Sequence, residues 1–263
     1  NKCKFVPLFV VSTPIGNLKD ITLNALEVFK SCDLILSEDT RTTSSLLSFY
    51  QITGKKILPF TDFTKEEEYE KFANMAKTLS VVLVSEAGTP CISDPGYTIT
   101  KKALELGVTV SPIIGACSLV AAISVSGLAF GQFAFLGFYE KSLKEKLILL
   151  LKNKLSIAIF LPARDILKVL NELQDSIQDH EICVVRELTK MYEDIKKGSV
   201  QDLLNYYTDE KKLKGEAILL ISFVKLQEKK QDLKELLAEV LKEKSFLKEE
   251  KVPLKYLADV LKT

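Results

Sequence analysis

Short apolar runs alternate with helical patterns through the first 113 residues, and this alternation restricts the fold more than any other feature. The runs "FVPLFVV", "DLILS", "KILPF", "VVLVS" and "VTVSPI" are separated by "LNALEVFKS", "SSLLSFYQI", "EEEYEKFANMAKTL" and "TITKKALELG". Runs this uniformly apolar suit strands buried on both faces. The spacing therefore predicts a mainly parallel, doubly wound sheet with helices on both sides.

Beyond "GACS" the pattern changes. Strands "FAFLGF", "SIAIFL", "EICVVRE" and "EAILLIS" are interleaved with helices near Leu143 to Lys154, Asp165 to Gln174 and Val200 to Tyr206, and "MYEDIKKG" adds an antiparallel strand. The expected architecture is α/β throughout: an N-terminal domain over 1–114, a mixed-sheet C-terminal domain over 115–224, and a Lys/Glu-rich helical tail over 225–263.

A net charge of +1 leaves no global field to draw the chain to a polyanion, so any such site must be a local patch. The five cysteines show no CxxC pair and no metal-ligand spacing, which suits reduced thiols in a cytosolic protein and no metal site. Cys91 stands out only because it lies in an unusual loop. The single histidine, His180, precedes "EICVV" and reads as a surface or turn residue. Val108 to Tyr139 carries no charge, yet Pro112, Gly115, Gly127 and Gly131 interrupt it. It reads as strand, loop, helix and strand rather than a membrane span. The N-terminal "NKCKFVPLFVV" is basic then apolar, but Pro7 breaks it and no cleavage site follows.

In open parallel sheets ligands bind beyond the carboxyl ends of the strands. Four peculiar loops fall at such ends: "STPIGN" (Ser12 to Asn17), "SEDTRTT" (Ser37 to Thr43), "SEAGTPCISDPG" (Ser85 to Gly96) and "IGACS" (Ile114 to Ser118). Glycine there lets backbone approach a ligand, and proline stiffens the loop. Neither GxGxxG after the first strand nor GxxxxGK[ST] is present, so conventional dinucleotide and P-loop readings fail. Acid-rich loops suit a ligand with positive charge or many hydrogen-bond donors.

With these loops, and with "RELTKMYEDI" (186–195) and "GEAILLI" (215–221), the chain resembles the tetrapyrrole-methylase-like (class III) S-adenosylmethionine methyltransferases, within them the ribosomal small-subunit RNA 2′-O-methyltransferase I branch. The motifs occur in family order across most of the chain. The resemblance implies two α/β domains with S-adenosylmethionine in the cleft between them, a homodimer, a cytoplasmic location, and 2′-O-methylation of a decoding-region cytidine in small-subunit rRNA, free or in an assembling subunit. It assigns the methyl donor to Pro14, Gly16, Asn17, Ser85, Glu86, Ala87, Gly88, Ile92, Gly115, Ala116 and Ser118.

Methyl transfer from a sulfonium requires alignment of donor and acceptor, and a ribose hydroxyl needs a proton acceptor or polarising group. The candidates are Glu38, Asp39, Glu86, Asp94, Glu187 and Lys190. Lysines 141, 144, 146, 152 and 154, against the single acid Glu145, form a basic stripe suited to RNA phosphates. Lys141, Lys144 and Lys146, with Arg41, Arg164 and Arg186, are the expected RNA contacts.

Several positions depart from the family pattern. Glu86 replaces the usual Asp. Pro162 replaces a Glu in "FLPARDIL" (160–167), and Tyr139 and Glu140 replace a Pro and a basic residue. The tail stops about one helix early by comparison with the family. A same-fold methyltransferase acting on a tetrapyrrole or a protein side chain, and a non-catalytic RNA-binding protein, are the alternatives. "RELTK" and the lysine stripe argue against the first, and the intact glycine loops against the second.

Overall fold

The computed structural model describes residues 7–61 and 64–226. Five strands, β1 (Leu8–Val11), β2 (Leu34–Ser37), β3 (Lys56–Pro59), β4 (Val81–Val84) and β5 (Val110–Ile113), form one sheet in the order β3-β2-β4-β1-β5. All its pairings are parallel. Side-chain alternation along β4 shows why the runs are continuously apolar. Val81 and Leu83 pack against Tyr69, Phe72, Ile99 and Ala103. Val82 and Val84 pack against Val28, Phe29, Leu46 and Leu47 on the opposite face. The first pair of helices is α3 (Glu66–Met75) and α4 (Tyr97–Glu105), and the second is α1 (Leu23–Ser31) and α2 (Thr40–Phe49). The doubly wound expectation holds.

The second sheet contains β6 (Phe133–Phe138), β7 (Ser156–Pro162), β8 (His180–Arg186), β9 (Asp194–Gly198) and β10 (Glu216–Lys225), ordered β6-β7-β10-β8-β9. Only β6 and β7 run parallel; the other neighbours are antiparallel. One face, through Ile157, Ile159, Val184 and Leu219, packs on Leu147, Leu170 and Leu203 from α6 (Lys144–Lys152), α7 (Ile166–Ile177) and α8 (Val200–Tyr206). The other face carries Ala158, Cys183, Val185 and Leu220 toward Leu119 and Ala122 of α5 (Ser118–Val125). Gly115 lies between β5 and α5, where the chain passes from one sheet to the other.

Three expectations change. "SEDTRTT" is not an open loop, because Asp39 caps α2 by accepting the Arg41 and Thr42 N–H groups, so Thr40 to Thr43 are already helical. His180 is not a surface residue: it starts β8, is buried, and its Nδ1 lies 2.8 Å from the Ser222 carbonyl oxygen. The lysine stripe is not a single local patch. Because α6 joins the parallel strands β6 and β7, it runs back along the sheet, placing Lys141 and Lys144 at one end and Lys152 and Lys154 at the other. Among the described residues no helix is long and apolar enough to cross a membrane. The predicted helical tail from residue 227 lies outside the described residues.

Candidate functional site

The carboxyl ends of β1 and β4 open onto a cavity of about 440 Å³, within the range of small-molecule sites. The loops there are tied by backbone. Thr13 N–H donates to the Gly88 carbonyl at 2.8 Å, and Gly88 N–H returns a bond to Thr13 at 3.0 Å. Gly88 has φ +81°, which glycine adopts without strain. Ser12 and Thr89 hydroxyls lie 2.9 Å apart, and Thr89 donates to the Ala116 carbonyl at 2.9 Å, which joins "STPIGN", "SEAGTP" and "IGACS" into one unit. Two non-glycine residues of the long loop, Cys91 and Ser93, also have positive φ. Strain of this kind clusters at functional sites.

The second sheet supplies the opposite wall. Phe138, Phe160, Val185 and Ile218 line the cavity, with Leu161, Ala217, Glu187, Leu188, Lys190 and Glu216. Phe160 packs edge-on with Phe138 at 5.6 Å. Contact between the walls is tight at Gly16: an added Cβ would lie 2.5 Å from Lys190 Cγ and 2.7 Å from Thr189 Oγ1. Only glycine admits that approach.

Of the residues assigned to the donor, Pro14, Gly16, Glu86, Ala87, Gly88, Ile92 and Ser118 line the cavity. The others stand behind it. Asn17 caps a short 3-10 turn, and Gly115 allows β5 to pass Ser12, where a Cβ would sit 2.9 Å from the Ser12 Cβ. Ala116 offers its carbonyl to Thr89, and Ser85 is buried beside the Ala87 carbonyl. The sequence reading missed Ile15, Leu18, Thr42, Thr89, Cys117 and the apolar residues of the second sheet. Their signal was the alternation in "IFLP" and "VVRE", which marks a second face but not which face borders a ligand.

The electrostatics are one-sided. Glu86, Asp94, Glu187 and Glu216 line the cavity, with Lys190 as the one cation among the lining residues. Burial pushes the Asp94 carboxyl up to about 6; the Ser85 hydroxyl opposes this, and Glu38, Glu216 and Glu86 add to it. Lys190 Nζ lies 2.9 Å from Glu187 Oε1 and 3.9 Å from Glu216 Oε2. Burial raises the Glu187 carboxyl, but the Lys190 bond, the Glu216 backbone N–H and nearby cations outweigh it and hold the net value low. Glu38 is not in the lining; its Oε2 accepts the Glu86 N–H at 3.0 Å and holds that loop. An apolar aromatic wall beside clustered carboxylates suits a ligand with a flat apolar ring and a positive charge.

The expected RNA contacts divide. Arg164 is exposed, as is Arg41, which pairs with Asp39 at 2.9 Å. Lys141 and Lys146 are exposed and Lys144 half-buried. Arg186 is corrected: it is 6% exposed, and its guanidinium donates to the carbonyls of Lys214 and Tyr192, each at 3.0 Å. A guanidinium spent on internal carbonyls is not available to phosphate. Among the described residues no three His, Cys, Asp or Glu side chains converge as a metal site.

Residues 7–204 match the family model "Tetrapyrrole (Corrin/Porphyrin) Methylases". A Rickettsia prowazekii protein named ribosomal RNA small subunit methyltransferase I is 37% identical over 219 residues, covering 82% of this chain and 78% of its own. Proteins of the same name from Bacillus subtilis and Thermotoga maritima are 37% and 34% identical, covering 81% and 82% of this chain and 74% and 97% of theirs. Among solved structures, cobalt precorrin-4 methyltransferase superposes with a TM-score of 0.63 at 21% identity, covering 83% of this chain and 95% of its own. A diphthine synthase gives 0.62 at 18% identity, covering 82% and 89%. The solved structures share the fold; the family model and the closer sequences go further, and this chain belongs to the tetrapyrrole methylase family, in the group of the ribosomal RNA small subunit methyltransferases I.

Proposed function

We propose that this protein transfers a methyl group from S-adenosylmethionine to the 2′-hydroxyl of a cytidine in the decoding region of small-subunit rRNA. The observation that carries the reading is the cavity itself: a carboxylate-rich pocket, bounded by backbone-tied glycine loops, in a chain whose relatives are named ribosomal RNA small subunit methyltransferase I. The donor, when bound, supplies an electrophilic methyl group on a sulfonium cation. The residues present fit it. Glu86 and Asp94 offer negative charge, Ala87 to Thr89 offer backbone at the cavity wall, and Phe138 and Phe160 offer an aromatic face.

Asp94 is the proposed proton acceptor for the ribose hydroxyl, since a carboxyl raised to about 6 is better matched to proton transfer near neutrality than an ordinary aspartate. Lys190, oriented by Glu187, is proposed to polarise that hydroxyl or steady an adjacent phosphate. Glu38 acts through the Glu86 backbone, as a positioning residue. Arg41, Lys141, Lys144, Lys146 and Arg164 remain the proposed phosphate contacts; Arg186 does not. A ribosomal substrate implies a cytoplasmic site of action.

A homodimer is also proposed. The uncharged stretch leaves Ile114 81%, Val120 61% and Val125 48% exposed, and apolar surface of that extent usually marks an interface. Sedimentation as a monomer at micromolar concentration would remove the dimer. Mapping ribose methylation in rRNA from cells with and without the protein tests the main reading. One decoding-region cytidine should lose its 2′-O-methyl group, and an unchanged map would overturn the proposal.

A further inference from the structure

The turn between β8 and β9 projects Met191 and Tyr192 into solvent, 89% and 71% exposed. It is nevertheless held from several sides. Glu187 and Thr189 have positive φ, and Lys190 and Glu193 N–H groups donate to the Glu187 and Lys190 carbonyls at 3.0 and 3.1 Å. Thr189 N–H donates to Glu193 Oε2 at 2.7 Å. From below, the buried Arg186 grips the Tyr192 carbonyl. A turn fixed this firmly, at the cost of unfavourable backbone, while presenting two large side chains to water, is built to meet something.

Its position indicates what. Glu187, Leu188 and Lys190 of the same turn line the cavity, so Met191 and Tyr192 stand at its rim. The second arm of Arg186 reaches the Lys214 carbonyl, drawing the exposed Lys211 and Lys214 segment to the same end of the sheet. Ala163 N–H donates to the Gly215 carbonyl at 2.8 Å, which adds the exposed Arg164. An aromatic ring and a thioether, flanked by cations and beside a methyl-transfer cavity, match single-stranded RNA, where bases stack on aromatic side chains and phosphates meet basic ones.

We propose that Met191 and Tyr192 form a platform for a nucleobase adjoining the acceptor ribose, with Arg164, Lys211 and Lys214 on the neighbouring phosphates; this rests on the rRNA reading above. Arg186 is the positioning residue that brings both halves together.

The test compares full-length wild type with Tyr192→Ala, Tyr192→Phe and a Lys211→Ala, Lys214→Ala double variant. The probes are a short end-labelled oligocytidylate and an abasic oligoribose phosphate of equal length. Tyr192→Ala should weaken oligocytidylate binding roughly fivefold to a hundredfold, leave abasic binding and donor affinity unchanged, and raise KM for small subunits with little change in kcat. Tyr192→Phe should behave as wild type. The double lysine variant should weaken both probes alike and flatten the log–log salt slope by about 1.4. Equal losses on both probes, or none, for Tyr192→Ala would overturn the platform. So would a change in its sedimentation, which would make the turn an interface between copies of this chain. Wild type that methylates subunits alongside an unaffected Tyr192→Ala defeats the platform alone; wild type that neither binds RNA nor methylates subunits defeats the rRNA reading with it.

Discussion

At the end of the first sheet the cavity loops are tied together by backbone; at the end of the second the wall is built on apolar and ionic side chains. Thr13 and Gly88 exchange two main-chain bonds that substitution scarcely alters, and the Thr89 hydroxyl adds a side-chain clip onto the Ala116 carbonyl. Opposite them, Glu187, Lys190 and Glu216 face the cavity through flexible ionic side chains, and Met191 and Tyr192 lie beyond. Backbone gives precision where a small rigid ligand must be aligned to a fraction of an ångström. Exposed Met191 and Tyr192, with the exposed Arg164, Lys211 and Lys214 at the same end, suit a larger, polyanionic partner approached from solvent. On the proposed reading the first sheet supplies the backbone frame of the donor site and Asp94, while the second adds Phe138 and Phe160 to the donor's wall and Lys190 on the acceptor side.

The strongest way to break this division is to disturb the point where the walls meet. Gly16→Val would force a Cβ into Lys190 Cγ and Thr189 Oγ1, and the Leu188 carbonyl at 3.1 Å leaves no retreat. Destabilisation of roughly 1–3 kcal/mol is expected from overpacking, with loss of measurable donor binding by calorimetry. Gly88→Ala is the milder case. Its Cβ would meet Ile15 Cγ2 at 3.2 Å, and φ +81° would cost about 1–2 kcal/mol for a residue with a side chain. Wild-type donor affinity in both variants would show that the backbone wall does not carry recognition.

Lys190→Ala sharpens the division from the other side. The chain would keep its donor affinity within a few-fold, while kcat should fall by about 10²-fold or more, the range for a proton-transfer or polarising group. The Glu187 pair itself contributes little stability, roughly 0–1 kcal/mol, because Lys190 is 35% exposed. Steady-state kinetics with small subunits, read beside donor calorimetry, separates the two effects. A donor affinity that falls as far as kcat would place Lys190 on the donor side.

The fold was legible in the sequence because the central strands of both sheets bury two faces and are written as apolar runs with turn signals around them; the edge strand β9, "DIKKG", is the exception. "LNALEVFKS" coincides with α1, and "FAFLGF" with β6. The donor loops were legible for a related reason: glycine and proline in "STPIGN" and "SEAGTP" mark backbone geometry, and backbone bonds are what tie those loops together. The second wall was not legible. Phe138, Phe160, Val185 and Ile218 look like core residues, and only the placement of one sheet beside the other makes them line a cavity. Charge was the least legible signal. Arg186 in "RELTK" reads as a free cation, but its environment turns it inward to two carbonyls. Glu38 reads as a cavity acid, and instead accepts the backbone N–H of its neighbour in space.

Asp94 gives the prediction with the clearest sign. Its carboxyl titrates near 6 in the folded protein against 3.8 ordinarily, so the folded state binds more protons than the unfolded state between those values. Stability attributable to this group therefore falls as pH rises from about 4 to 6, and the cost is fully present at neutral pH. Asp94→Asn removes the charge and should stabilise the protein by roughly 1–3 kcal/mol at pH 7, with little change at pH 4, as read from thermal unfolding at both values. The same substitution should lower kcat, because the proposed proton acceptor is gone. In the wild type, affinity for a cationic donor should weaken as pH drops through 6 and the carboxylate is lost. Natural sequences retain such an unfavourable acid where activity requires it. If Asp94→Asn instead destabilises the protein at pH 7, the carboxylate serves the loop rather than the chemistry, and the proton acceptor has to be sought among Glu86, Glu187 and Lys190.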